Sequence, residues 1–334
     1  MNTQQHSNLA RAVASITEQL LHGYTKPTVL LGLSGGADSV FLFHSLLLLQ
    51  QDGRIQLHAI HINHGWRHDA AVDETFCEEL CAQHGVTYTT EHTKDWLPFV
   101  APHKQKTGSL EANAREIRRV IFTQHKEKLG AQFVALAHHA DDQIETFLIR
   151  LIRGSGLTGL CSMQPLINGI IRPLLHCTKH DILAWLSEHN QPFCSDSTNT
   201  DLSFLRNRIR SILSPALTAC DARSTDSILR TITHLQQEEA FLREICRQTL
   251  LALTNESGSY SVPGFLACAP ALRARIITEL LIAAEVAFTP SEKLFAEIIR
   301  FLDSPRGGIH MLGNTWGIQK KQGRFGITRT LSNL

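Results

Sequence analysis

No stretch of this 334-residue chain approaches the ~18 consecutive apolar residues that a membrane-spanning helix needs. Its densest run, Ser45 to Leu49, is only part of a short buried helix. The first residues, Met1 to Ala10, are polar and have no apolar core segment, so no secretory signal is read there. The eight cysteines offer no Cys-x-x-Cys; the closest pair, Cys77 and Cys81, has no second close couple to complete a zinc site. They read as thiols of a reducing cytosol, packed as small apolar residues. Net charge is also missing, since 32 Lys+Arg against 31 Asp+Glu leave +1. That total is silent on nucleic acid, for which clustering of basic residues matters. Internal repeats and low-complexity tracts are absent. What remains is a 43% hydrophobic chain, able to bury a core and long enough for about two domains.

Apolar runs of strand length alternate with helical patterns through the first half. Thr28 to Leu33, Ile55 to Ile62 and Gln132 to Ala137 read as strands. Val40 to Leu49, Asp73 to His84, Glu111 to Leu129 and Asp141 to Arg153 read as helices. Such alternation predicts βαβ units and a parallel sheet with helices on both faces. Ligands bind outside the carboxyl ends of such strands, which directs attention to the residues after Leu33, Ile62 and Ala137. Beyond about Pro215 the pattern changes. A long connecting helix is predicted over Asp226 to Leu251, then helices near Ala271 to Ala284 and Ser291 to Leu302. Two short strands follow, near Gly308 to Gln319 and Arg324 to Thr328, with a turn at Lys320 to Gly323. The division is 1–215, a connecting region 216–255, and a small unit 256–334.

Ser34-Gly35-Gly36-Ala37-Asp38-Ser39 lies between the first strand and an apolar helix. Glycines let backbone amides converge on an anion, hydroxyls add donors, and the helix N-terminus favours negative charge. A bare Gly-Gly there would be an ordinary capped turn; the whole S-G-G-x-D-S is more demanding. It is not a Walker loop, because no Gly-Lys-Ser/Thr follows. It resembles the PP-loop of the ATP pyrophosphatases, which split ATP into AMP and pyrophosphate while adenylating a substrate oxygen. The resemblance implies that Ser34, Gly35, Gly36, Ala37, Asp38 and Ser39 hold ATP, with Asp38 near the phosphates or a metal.

On a helix starting near Asp141, Asp142 and Glu145 are three apart and share a face, which suits Mg²⁺ or a substrate ammonium. An acidic first turn that merely complements the helix dipole is the alternative. Arg115 and Arg118 share another face, suited to phosphate or to simple solvation. His138 and His139 end a strand, where a structural pair is the commoner reading. His61, His64 and His68 lack a further Cys or acidic ligand pattern, so no metal site is read there.

Taken in order, these stretches resemble the tRNA(Ile)-lysidine synthetase family: His61-Ile-Asn-His-Gly-Trp-Arg67, Leu110 to Arg118, His138-His-Ala-Asp-Asp-Gln-Ile-Glu-Thr146, Arg153-Gly-Ser-Gly156, Asp196-Ser-Thr-Asn199 and Arg206-Asn207. The likeness covers about residues 28 to 215 closely and the small C-terminal unit more weakly. Arg119 and Trp66 depart from the family pattern. The resemblance implies a Rossmann-like α/β PP-loop domain with a long connecting helix and a smaller α+β domain. It implies a cytoplasmic ligase that uses ATP and Mg²⁺ to adenylate C2 of the wobble cytidine in the CAU anticodon of tRNA(Ile). Free L-lysine then displaces AMP. Asp38, Arg115, Arg118, His138, Asp142 and Glu145 would form the catalytic set, with Asp38 and Asp142 as metal ligands. No membrane is expected as a partner, and a homodimer is compatible with the pattern.

Basic residues do cluster. Asn113 to Gly130 carries five Lys/Arg and two acids; Ser203 to Pro215 and Gln319 to Leu334 carry three and four with no acid. A phosphate track is one reading and scattered solvated charge the other. With the resemblance, the candidate tRNA contacts are Arg153, Arg206, Asn207, Arg210, Lys320, Lys321 and Arg324. Two rival functions stand beside this one: a tRNA thiolase of the same superfamily, against which the absent Cys-x-x-Cys argues, and an ATP-binding RNA-interaction protein without turnover.

Overall fold

The computed structural model describes residues 8–65, 70–99, 110–194, 202 and 204–330. The chain divides into two compact units, Met1–Leu235 and Gln236–Leu334.

The first unit is built on a sheet of six strands: β1 (Thr28–Gly32), β2 (Gln56–Asn63), β3 (Thr87–His92), β4 (Phe133–Ala135), β5 (Leu166–Ile167) and β6 (Ile170–Ile171). They lie in the order β3-β2-β1-β4-β6-β5. All neighbours are parallel except the β5–β6 hairpin. The helices that position the site are α1 (Leu9–Leu20), α2 (Ala37–Gln51), α3 (Ala70–Gln83), α4 (Leu110–Lys128), α5 (Ala140–Ile152), α6 (Lys179–Glu188) and α7 (Leu205–Arg208). Strand β1 is apolar and buried at Val29, Leu30 and Leu31 because both its faces are covered. Val29 and Leu31 join a core with α1, α2 and α6, whereas Leu30 packs with Ile117 and Ile121 of α4. Helix α2 is apolar all round and buried almost throughout, the pattern of a helix enclosed by its neighbours.

In β1, Leu31 pairs with Ala59 of β2 on one side and Ala135 of β4 on the other. From β1 the chain crosses through α2 to β2; from β4 it continues through α5 toward β6, on the opposite side. The carboxyl ends of β1 and β4 therefore form the point where strand order reverses, the place where such sheets open a crevice.

The predicted α/β architecture is borne out, with five elements added. Strand β3 (Thr-Tyr-Thr-Thr-Glu-His) is a half-buried edge strand and so shows no apolar run. Helices α1 and α6 and the two-residue strands β5 and β6 were also absent from the sequence reading. Two motif segments, residues 66–68 with Trp66 and His68, and Asp196 to Asn199, lie outside the described residues.

Helix α8 (Ser224–Leu253) runs across the division between the units. The second unit holds an antiparallel sheet in the order β7-β10-β9-β8, formed by β7 (Tyr260–Ser261), β8 (Gly308–Leu312), β9 (Trp316–Lys321) and β10 (Arg324–Arg329). Its core unites Phe325 and Ile318 of the sheet with Phe265, with Ile276 and Leu281 of α9 (Pro270–Ala283), and with Ile298 and Leu302 of α10 (Glu292–Asp303). The single strand predicted over Gly308 to Gln319 is instead a hairpin, broken by Gly313 at φ +71. The following turn is Gln322-Gly323, both at positive φ, which matches the strand twist of a two-residue hairpin.

Candidate active site

The loop after β1 is tied by its own serines. Ser34 N donates to Ser39 Oγ at 3.1 Å, Gly36 N to Ser34 Oγ at 3.4 Å, and Ser39 Oγ to Gly36 O at 2.9 Å. Gly35 takes φ +84, and an added Cβ would stand 3.3 Å from Cys194 Sγ and 3.4 Å from Cys77 Sγ. The Cys194 amide donates to Gly35 O at 2.9 Å, fixing the loop from behind. Gly36 differs: its φ is an ordinary −70, and a Cβ there would meet only Ser34 Oγ at 3.5 Å. Space is thus left in front of the loop, where α2 begins with Ala37 and Asp38.

From the end of β4, His139 caps α5 and gathers three carboxylates. Its Nε2 lies 3.8 Å from Asp38 Oδ2 and 3.5 Å from Asp142 Oδ2, and its Nδ1 lies 3.3 Å from Asp141 Oδ2. Burial opposes protonation of this imidazole, but Asp141, Asp142 and Asp38 outweigh it and raise its pKa above 6.5. Burial likewise works against Asp141, but the neighbouring His139 imidazole and a bond from the Lys179 amide hold its carboxyl below the usual range. Lys179, in the first turn of α6, donates from Nζ to Asp38 Oδ1 at 2.6 Å. The sequence reading took His139 as structural and gave Asp141 and Lys179 no role in the site. A signal for Lys179 was present in the capping pattern Thr178-x-x-Asp181 ahead of Ile182, Trp185 and Leu186, which marks a helix start.

Asp142 and Glu145 share one face of α5, as their spacing required, but their partners differ. Glu145 is 2% exposed and uses both oxygens on arginines: Arg206 Nε at 2.7 Å and Arg210 Nε at 2.6 Å. A carboxylate this buried and doubly paired holds those guanidiniums; it does not offer itself to a substrate ammonium. Asp142 stands between two halves of the site. Its Oδ2 faces His139, and its Oδ1 lies 3.8 Å from Arg206 Nη2 and 3.7 Å from Arg210 Nη2.

His138 is half-buried beside this group. Desolvation, with Arg172, Arg206 and Arg118 against Asp142, lowers its pKa to about 4. Its Nδ1 and the Arg172 Nε are buried with no hydrogen-bond partner among the described residues, which leaves donors or acceptors for a ligand to satisfy. Arg118 is exposed on α4 and its charge also reaches His64 at the end of β2. Arg115 is exposed three residues earlier on the same helix. The loop, Asp38, Asp142, Glu145, His138 and Arg118 are thus gathered at the strand-order reversal.

The proposed tRNA contacts separate into two groups. Arg206 and Arg210 join the active site, Asn207 is half-buried between them on α7 and its π-helical continuation, and Arg153 is exposed at the end of α5. Lys320 and Arg324 require correction, for their charges are turned inward. Lys320 Nζ donates to Leu302 O at 2.6 Å and to Ser304 O, closing the end of α10. Arg324 bonds Ser259 and the Leu253 carbonyl. Of the three proposed contacts in that cluster, Lys321 is the exposed one.

No group of three His, Cys, Asp or Glu among the described residues is arranged to hold a metal by itself. Asp38 and Asp142, however, converge on one imidazole edge. Two hard oxygen donors with room for substrate phosphates fit Mg²⁺, which seldom takes an all-protein cage.

A family profile described as the PP-loop domain matches residues 5–217. The chain is 38% identical over 252 residues to the tRNA(Ile)-lysidine synthase of Geobacter sulfurreducens, covering 71% of this chain and 51% of that protein. With the corresponding synthase of Neisseria gonorrhoeae the figures are 34% over 281 residues, covering 83% and 60%. The chain therefore spans about half the length of the curated relatives it matches. Among solved structures, the U34-tRNA thiolase NcsA of Methanococcus maripaludis superposes with a TM-score of 0.57 at 21% identity, covering 71% of this chain and 85% of that one, a likeness of fold alone.

Proposed function

The chain belongs to the PP-loop domain family, an ATP-binding family, and from that premise we propose that it ligates lysine to the wobble cytidine of a CAU-anticodon tRNA. The observation that carries this reading is the convergence on His139: the glycine loop's Asp38 and the α5 carboxylates Asp141 and Asp142 surround one imidazole at the strand-order reversal. The 34–38% identity to lysidine synthases supports the choice of reaction.

The loop amides and the start of α2 receive the pyrophosphate end of ATP. Lys179 adds positive charge where that pyrophosphate departs, the carboxylates around His139 favour a proton there as well, and both groups can pass from Asp38 to the phosphates as these bind. Mg²⁺, held by Asp38 and Asp142, would supply further charge neutralisation to the phosphates. Adenylation turns the cytidine C2 oxygen into a good leaving group. Arg206 and Arg210, held rigid by Glu145, stabilise charge developing on that side. Asp142 Oδ1 faces the same arginines and is assigned to the lysine amine, which must lose a proton before it attacks. Residues 1–215 carry this chemistry, 216–255 connect, and 256–334 contact RNA. We place the enzyme in the cytoplasm, with tRNA(Ile) and free L-lysine as substrates; a homodimer accords with this reading. A thiolase reading finds no Cys-x-x-Cys to support it.

The test separates the half-reactions. With ATP and the tRNA but no lysine, adenylated tRNA and pyrophosphate are expected to form; lysine should then discharge AMP. Pyrophosphate release that ignores the RNA would refute the assignment.

A further inference from the structure

Three phenylalanines are exposed among the described residues: Phe193 at 40%, Phe204 at 42% and Phe241 at 62%. Phe204 stands out for how firmly it is held. It is the extended N-cap of α7, at φ −83 and ψ 130, and its carbonyl accepts from the Arg208 amide at 3.1 Å. The Arg208 guanidinium donates back to the Leu202 carbonyl at 2.8 Å, tying the chain just before the ring. Two residues further on, Arg206 is bound to buried Glu145, and Arg210 grips the same carboxylate. Ile209, 2% exposed, roots the segment in a core with Ile144 and Leu148 of α5. The backbone following Phe204 is therefore fixed to the helix that carries the site carboxylates, while Phe204 itself remains exposed.

An aromatic ring presented in this way is suited to stacking. Arg206 and Arg210 are paired with Glu145, but Arg208 and Arg210 are exposed and no acid lies from Leu202 to Pro215, so charge complementarity favours a phosphate-bearing partner over an apolar protein surface. Unpaired RNA bases offer π-faces to such a ring, whereas paired bases are stacked away. We propose that Phe204 is a stacking platform for an unpaired anticodon-loop base, positioning the RNA so that the wobble cytidine reaches the His139–Asp142 cluster. This rests on the RNA-ligase reading above. Phe204 acts through RNA placement and is a positioning residue.

The experiment measures affinity for a fluorescent CAU anticodon stem-loop, and the emission of pyrrolocytidine placed at the wobble position. Phe204→Ala and Phe204→Leu are both expected to bind roughly five- to a hundredfold more weakly, as loss of one stacked base implies. Phe204→Trp should bind as well as the wild type and quench the probe at least as strongly. ATP binding and thermal midpoint should not change in any of the three, because the ring supports neither the loop nor the core. Wild-type affinity in the Ala variant overturns the proposal. So does wild-type affinity in the Leu variant, since that would mean plain apolar contact without stacking. If the unmodified chain binds no RNA at all, the ligase reading fails first; if it binds and Phe204→Ala binds equally, only the stacking role fails.

Discussion

His139 shows how one residue can be read two ways. As a strand-end histidine it looks structural; with three carboxylates around it, its protonation is favoured beside the phosphate loop. Its folded pKa is raised, so the stability it contributes is fully present below its unfolded value of about 6.5 and is lost as pH rises through the folded value. An NMR titration of its ring should place its midpoint above 6.5, and Asp142→Asn should bring that midpoint down. No shift in the variant would remove Asp142 from the cluster. Glu145 was legible as a partner of Asp142, since three-residue spacing puts both on one helix face. Its real partners, 61 and 65 residues away, were not, because no local pattern encodes so distant a pairing. Glu145→Gln removes one charge-assisted bond, worth roughly 1.5–3 kcal/mol. It is expected to lower turnover about ten- to a hundredfold while ATP binding stays intact; a defect confined to ATP binding would instead assign Glu145 to the nucleotide half.

At the scale of elements, the phosphate loop makes opposite demands on adjacent glycines. Gly35→Ala places a side chain at φ +84 against two sulfurs, and should cost about 1–2 kcal/mol of stability, seen as a lower denaturation midpoint. Gly36→Ala meets no protein atom closer than 3.5 Å, so its fold should match wild type while ATP affinity, measured by calorimetry, falls. Equal stability in the two variants would show that the loop does not depend on its left-handed residue. The elements most legible in sequence were those with continuous apolar burial, β1, α2 and β4. Edge strand β3 was hidden because half-exposed Thr-Tyr-Thr-Thr-Glu-His lacks an apolar signature. The β8–β9 hairpin was hidden because Gly313-Asn-Thr interrupts a run whose flanks both read as strand.

Across the whole molecule, the basic clusters counted in sequence did not translate directly into surface charge. Lys320 and Arg324 serve as internal donors to carbonyls, a role that charge counting cannot distinguish from phosphate contact. Lys320→Met should therefore lower the melting midpoint of the second unit without weakening RNA binding; the reverse would restore it to the RNA surface. The first unit should be acid-labile. Burial, aided by His84 and His189, lowers His44 to a pKa of about 4. The stability this contributes is present above about 6.5 and is lost as pH falls through about 4. Thermal midpoints across that window should flatten in His44→Phe; an unchanged pH slope would shift the cause to other groups. The central claim, that this assembly joins lysine to RNA at the expense of ATP, meets its most direct test in mass analysis of nucleosides. A CAU-anticodon tRNA incubated with the protein, ATP, Mg²⁺ and lysine should lose one cytidine and gain lysidine, with one AMP and one pyrophosphate formed per modified base. Unmodified cytidine despite ATP cleavage, or a product that forms without lysine, would contradict it.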